Sequence, residues 1–140
     1  MEIRPDQIQR VLAQLAPWQP AVVYLFGSRA GDTARPDSDL DLAVLPGRPP
    51  EPWAWFALQG RLSEELGVEV DLVDLTRAST VLRKEIVSTG RLLWEGDPRR
   101  RAELEMYALS DYARLNEERA PVLAALGQPL SAYAGRSAFE

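Results

Sequence analysis

Hydrophobic positions along the chain switch repeatedly between a helical period and continuous apolar runs. The first helical period predicts a helix that starts near Asp6, just after Pro5, and ends at Pro17. Its apolar face consists of residues at the i, i+3, i+4 and i+7 positions, namely Ile8, Val11, Leu12 and Leu15.

Continuous apolar runs rich in β-branched and aromatic residues predict the strands of the protein. The first run has the sequence AVVYLF and covers residues 21–26, and the second has the sequence LDLAVL and covers residues 40–45. A third strand is predicted for VEVDLVDL at residues 68–75, and a short fourth for RLLWEG at residues 91–96.

Three further helices are predicted between and after these strands. A proline-rich loop at residues 46–52 precedes an amphipathic helix that Gly67 ends, with apolar positions at Trp55, Leu58, Leu62 and Leu66. Thr76 is expected to cap a helix that runs to about Thr89. Asp97 followed by Pro98 starts the last helix, which is expected to reach about Arg119.

The order of these elements predicts a small α/β domain with a mixed β-sheet flanked by helices. We expect residues 1–96 to form the core, and residues 97–140 to add a helix and a tail packed on the same domain. The tail after Pro121 is expected to form a short helix and then to fray.

Composition excludes several classes of function. The 140 residues are 46% hydrophobic and contain neither cysteine nor histidine, which removes thiolate chemistry, the usual zinc ligands and the commonest general base. The net charge of −5 argues against a generic nucleic-acid-binding protein. No apolar run is long enough for a membrane span or a signal peptide, so we expect a cytoplasmic protein.

Paired carboxylates lie at the start of the second predicted strand. Asp39 and Asp41 are two residues apart, so their side chains project to the same face of a strand. Two adjacent carboxylates repel each other unless a cation lies between them, and oxygen ligands without histidine or cysteine favour Mg²⁺ or Mn²⁺. The pattern therefore predicts a divalent metal site, although such a pair alone is more often a solvated turn or helix cap.

A Gly-Ser pair and a third aspartate can complete that site. Gly27 and Ser28 directly follow the first buried strand, where backbone amides and a hydroxyl can receive a phosphate. Asp71 is a charged residue in the third apolar run, and a third carboxylate beside the pair would allow two metal ions. Asp74 competes with Asp71 for this role, but strand alternation puts it on the opposite face.

Several other residues leave two interpretations open. Arg29 and Arg35 can bind phosphates or form surface ion pairs, and the same choice applies to Arg83 and Lys84. The aromatic cluster of Trp53, Trp55 and Phe56 is expected to be core rather than a base-stacking platform. The last helix is expected to serve core packing more than a partner surface or self-association as a homodimer.

Taken together, FGSRAGDTARPDSDLDLAV, the later VDLV and LRKEIVSTGRLLWEG resemble the minimal nucleotidyltransferase family of the DNA polymerase beta superfold. The resemblance assigns nucleotide binding to Gly27, Ser28, Arg29 and Ser38. It assigns both catalysis and metal binding to Asp39, Asp41 and Asp71, with two Mg²⁺ or Mn²⁺ ions. One departure is that many members have Arg-Gly where this chain has Gly31 and Asp32.

The resemblance implies transfer of AMP from ATP to a hydroxyl group, with pyrophosphate as the leaving group. Stand-alone members of this size resemble the antitoxin partners of HEPN toxins and are expected to modify a tyrosine of the toxin. Two alternatives stay open: a binding module that masks its partner without catalysis, and a transferase for a small substrate such as an aminoglycoside.

Overall fold

A computed structural model describes residues 3–27 and 39–127 of the chain. In chain order its elements are α1 (Pro5–Leu15), a 3₁₀ turn (Ala16–Trp18), β1 (Val22–Phe26), β2 (Leu40–Leu45), α2 (Pro52–Leu66), β3 (Val70–Asp74), α3 (Thr80–Thr89), β4 (Arg91–Glu95) and α4 (Pro98–Ala125). Every helix and strand predicted from the hydrophobic pattern before residue 120 is present.

The four strands form one mixed sheet in the order β3-β2-β1-β4. β1 lies in the middle and pairs antiparallel with β2 and with β4, whereas β2 and β3 run parallel. The parallel pair requires a crossover, which α2 provides. The predicted α/β class with a mixed sheet is therefore confirmed.

Both faces of the sheet are covered, because alternate residues of each strand point to opposite sides. One face carries Val23, Leu25 and Leu42 against α1 and α2. The other face carries Val22, Tyr24 and Ala43 against α3 and the first part of α4. This two-sided burial explains why β1 is almost uniformly apolar.

Two helix boundaries differ from the prediction. The cap of α3 is Ser79, whose hydroxyl accepts a hydrogen bond from the Leu82 amide at 3.2 Å, because Thr76 is already engaged by Asp74 in the preceding turn. The last helix runs to Ala125 and passes through Pro121 instead of ending near Arg119. The expected fraying of the tail concerns residues 128–140, which lie outside the described residues.

The aromatic cluster was expected to be core, and this is wrong for two of its three members. Trp55 is buried, and its ring nitrogen donates a hydrogen bond to the Leu72 carbonyl at 3.0 Å. Trp53 and Phe56 are 73% and 76% exposed, because they lie on the outer side of α2.

Across residues 3–27 and 39–127, no helix combines the length and the apolar character that a membrane crossing requires.

Candidate active site

The site begins with two aspartates that the sheet brings side by side. Asp41 in β2 and Asp71 in β3 are direct partners in the parallel register, so their backbones are separated by one strand spacing, about 4.8 Å. Both lie on the face of the sheet that carries Ala43 and α3. The register thus joins carboxylates that are 30 positions apart in the sequence.

Asp39 completes an acidic group at the start of β2. It is exposed and precedes the first residue of that strand. Partial burial, followed by the charges of Asp71 and Asp39, raises the pKa of Asp41 to about 6. Negative charge at Asp41 is therefore disfavoured unless a cation is present.

Gly27 is packed directly against this group. It ends β1 with a φ of +72°, a left-handed conformation that favours glycine. A Cβ atom added at Gly27 would collide with the Oδ2 atom of Asp41. The turn after β1 and the acidic strand β2 are therefore in contact, through a glycine that leaves room for the carboxylate.

Asp74, the competitor of Asp71, has a structural role at the end of β3. Its Oδ1 atom accepts hydrogen bonds from the amide and the hydroxyl of Thr76, at 2.9 and 2.7 Å. It is buried and lies 3.8 Å from the guanidinium of Arg77. Asp74 therefore stabilises a turn, and only Asp71 lies beside Asp41.

The candidate phosphate contacts of α3 have other partners. Arg83 donates hydrogen bonds to the carbonyls of Leu75 and Thr76, at 2.9 and 3.0 Å, so it stabilises the turn before α3. The Lys84 ammonium lies 5.0 Å from the ring centre of Tyr112, a cation–π contact between α3 and α4.

Four predicted or uncertain positions fall in residues 28–38, outside the described residues: Ser28, Arg29, Arg35 and Ser38. Gly31 and Asp32 lie in the same segment. Sequence reasoning missed the contact of Gly27 with Asp41, since nothing in a linear pattern indicates which side chain lies over a glycine.

The residues present fit a hard divalent cation. Within the described ranges, no group of three or more acidic side chains is arranged to hold a metal ion by itself, as a complete cage would. Magnesium does not require one, because it retains water and is commonly shared between one or two carboxylates and substrate phosphates. Such a cation would offset the burial and the neighbouring charges that raise the pKa of Asp41.

Comparison with known proteins identifies the family of this site. The family model described as "Polymerase beta, Nucleotidyltransferase" matches residues 6–99, which contain all four strands and the three aspartates. The chain belongs to this family. The predicted nucleotidyltransferase resemblance and the polymerase beta-like fold are thus confirmed.

One relative of this nucleotidyltransferase is the protein adenylyltransferase MntA of Shewanella oneidensis. It is 36% identical over 102 residues, which make up 73% of each chain. A solved structure described as a toxin–antitoxin with AMP-PNP matches with a TM-score of 0.76 and 32% identity, covering 89% of this chain and 98% of that one.

A second solved structure contains a tri-AMPylated HEPN toxin of Shewanella oneidensis in complex with an MNT antitoxin. It matches with a TM-score of 0.73 and 29% identity, covering 90% of this chain and 98% of that one. The part of this chain that each of these matches leaves uncovered is shorter than the 28 residues of α4. They therefore include part of α4, which lies almost entirely beyond the residues matched by the family model.

Proposed function

We propose that this protein is a metal-dependent adenylyltransferase that moves AMP from ATP to a hydroxyl group of a HEPN toxin and so acts as its antitoxin. The observation that carries the proposal is the contact group of Gly27, Asp41 and Asp71, found in a chain 36% identical to a protein adenylyltransferase. The acceptor is expected to be a tyrosine. We assign the reaction to the cytoplasm, where ATP and Mg²⁺ are available.

Asp39, Asp41 and Asp71 are the proposed ligands of two Mg²⁺ or Mn²⁺ ions. When bound, the ions would neutralise the triphosphate and make the acceptor hydroxyl easier to deprotonate. Without a cation, three carboxylates in one electrostatic environment would repel the anionic substrate. Gly27, Ser28, Arg29 and Ser38 are the proposed contacts of the nucleotide.

Asp71 is the proposed general base. It would accept the proton of the acceptor hydroxyl as that oxygen attacks the α-phosphorus of ATP. A new P–O bond then forms between the acceptor and AMP, while the bond from the α-phosphorus to its bridging oxygen breaks. Pyrophosphate leaves with the electron pair of that bond. Asp71 is exposed, so an incoming acceptor can approach it.

The proposal is tested by incubating the purified protein with ATP, Mg²⁺ and the HEPN protein of the same genome. Intact-mass spectrometry should show the toxin gaining one or more AMP groups. The double substitution Asp39→Asn/Asp41→Asn should abolish this gain, whereas Glu64→Gln, at an exposed position of α2, should leave it unchanged.

Two results would contradict the proposal. If AMP transfer persists in the double variant, these aspartates do not carry the chemistry. If the wild-type chain protects cells from the toxin without modifying it, the protein masks its partner and is not an enzyme. An aminoglycoside in place of the toxin should remain unmodified, since we propose a protein acceptor.

A further inference from the structure

The second half of α4 contacts little of the remaining domain. α4 has 28 residues, but its only buried residue is Ala108. From residue 109 to residue 127 no residue is buried, and we call this stretch the α4 arm. An isolated helix of this length is marginally stable in water, and packing of an apolar face normally provides its stability. The arm has little such packing on its own domain, so the surface of another protein can cover one of its faces.

One apolar stripe runs from the packed half of α4 into the arm. Leu104 and Ala108 face the core on the α3 side of the sheet. Helical spacing continues this face through Leu115, Val122 and Leu126. The last two side chains are 59% and 70% exposed. Leu115 is partly buried, so the face that holds α4 on its own domain becomes exposed at Val122 and Leu126.

Pro121 leaves one backbone carbonyl of the arm without its usual hydrogen-bond donor. Proline has no amide hydrogen, so the carbonyl of Glu117 lacks the usual donor four residues ahead in the helix. This carbonyl can accept a hydrogen bond from a surface that covers the arm. Apolar side chains next to an available acceptor are typical of a protein interface.

Two observations point to the occupant. The arm lies outside the nucleotidyltransferase family match, which ends at residue 99, yet at least part of α4 is shared with proteins solved as toxin–antitoxin assemblies. Moreover, α4 packs on the same face of the sheet that carries Asp41. A protein held by α4 would thus lie on the side of the sheet where its hydroxyl must arrive.

Charge complementarity supports a protein of the opposite sign. The chain carries a net charge of −5, and three of its carboxylates, those of the candidate active site, lie on this face. A partner surface with basic residues around an apolar centre would fit both features, and the association would weaken with added salt.

From these observations we infer that the apolar stripe of the α4 arm, formed by Leu115, Val122 and Leu126, is the docking site of the toxin that carries the acceptor hydroxyl. The inference rests on the proposed function for the identity of the partner. Docking on the arm would concentrate the acceptor hydroxyl at the carboxylates.

The test compares two double variants of the full chain. Val122→Glu/Leu126→Glu puts charge on the stripe, and Ala113→Glu/Ala124→Glu makes the same change at exposed positions on the opposite side of the arm. The stripe variant should bind the HEPN protein at least about tenfold more weakly by calorimetry, because two apolar side chains no longer dock. The control variant should bind like the wild type.

Kinetics separate docking from chemistry. In the stripe variant the KM for the toxin should rise by at least about tenfold, while the KM for ATP and the kcat at saturating toxin stay unchanged. Circular dichroism should show equal helix content in both variants, since all four positions are solvent-accessible.

Other results would overturn either the docking site or the proposed chemistry. Wild-type affinity in the stripe variant, or equal losses in both variants, would overturn the docking site. The same holds if the wild type alone sediments as a dimer that the stripe variant dissociates, because a second copy would then cover the stripe. Binding through the stripe without AMP transfer would refute the proposed chemistry and leave the docking site intact.

Discussion

At the scale of single residues, the contact between Gly27 and Asp41 combines two different constraints. The positive φ of Gly27 favours glycine for reasons of backbone strain, and any side chain at this position would require the Asp41 carboxylate to move. These constraints can be separated because Gly67, at the end of α2, has almost the same φ of +71° with no atom within 4 Å of an added Cβ.

Gly27→Ala should therefore lower both stability and activity. The left-handed backbone costs about 1–2 kcal/mol for alanine, and displacement of Asp41 should reduce AMP transfer on the order of 100-fold. Gly67→Ala should show a similar loss of stability, measured by thermal unfolding, with unchanged transfer. Equal activity of the two variants would mean that Gly27 does not position Asp41.

Asp41 also affects the stability of the metal-free protein. Its pKa of about 6 lies above the value of 3.8 for the free side chain, so the folded state binds the proton more tightly than the unfolded state does. The stability contributed by this proton is present at low pH and is lost as pH rises through about 6. At pH 7 the ionised Asp41 thus destabilises the fold.

Asp41→Asn should consequently raise the Tm of the protein in EDTA at pH 7, and this gain should shrink toward pH 4. Added Mg²⁺ should raise the Tm of the wild type more than that of the variant, because a ligand of the cation is missing. An Asn variant less stable than the wild type at pH 7 would show that burial and repulsion do not disfavour the ionised Asp41.

At the scale of secondary-structure elements, α4 is attached to the sheet by a small polar network. The Tyr24 hydroxyl of β1 donates a hydrogen bond to Glu105 at 2.5 Å, and Arg101 binds both Glu105 and Glu95. Burial and the bond to Glu105 raise the pKa of Tyr24, so the hydroxyl stays protonated and acts as the donor. The network links the central strand to the base of the α4 arm.

Tyr24→Phe should destabilise the protein by about 1–3 kcal/mol, since a buried hydrogen bond to a charged acceptor is lost. Thermal or denaturant unfolding measures this change. Tyr107→Phe is the matched control, because Tyr107 lies in α4 two residues after Glu105 and is 58% exposed, and it should have almost no effect. A Tyr24→Phe variant as stable as the wild type would show that Arg101 alone satisfies Glu105.

Helix boundaries show where local sequence signals are sufficient and where they are not. Gly67 ends α2 as predicted, because a left-handed glycine is a local stop signal. Thr76 was a reasonable cap by composition, yet Asp74 engages its hydroxyl and Ser79 takes the role instead. Pro121 lies inside α4 rather than at its end, although proline normally interrupts a helix.

At the scale of the whole molecule, the sequence by itself determined the elements, the mixed α/β class, the family and the paired carboxylates. These features depend on the period of apolar residues and on motifs within a few positions of one another. Only the tertiary structure decided that Asp71 is the direct neighbour of Asp41, that Asp41 rests on Gly27, and that the stripe of α4 continues uncovered beyond the domain. The physical reason is that strand register, close packing and solvent exposure arise from contacts between residues far apart in the chain, and a linear pattern does not specify those contacts.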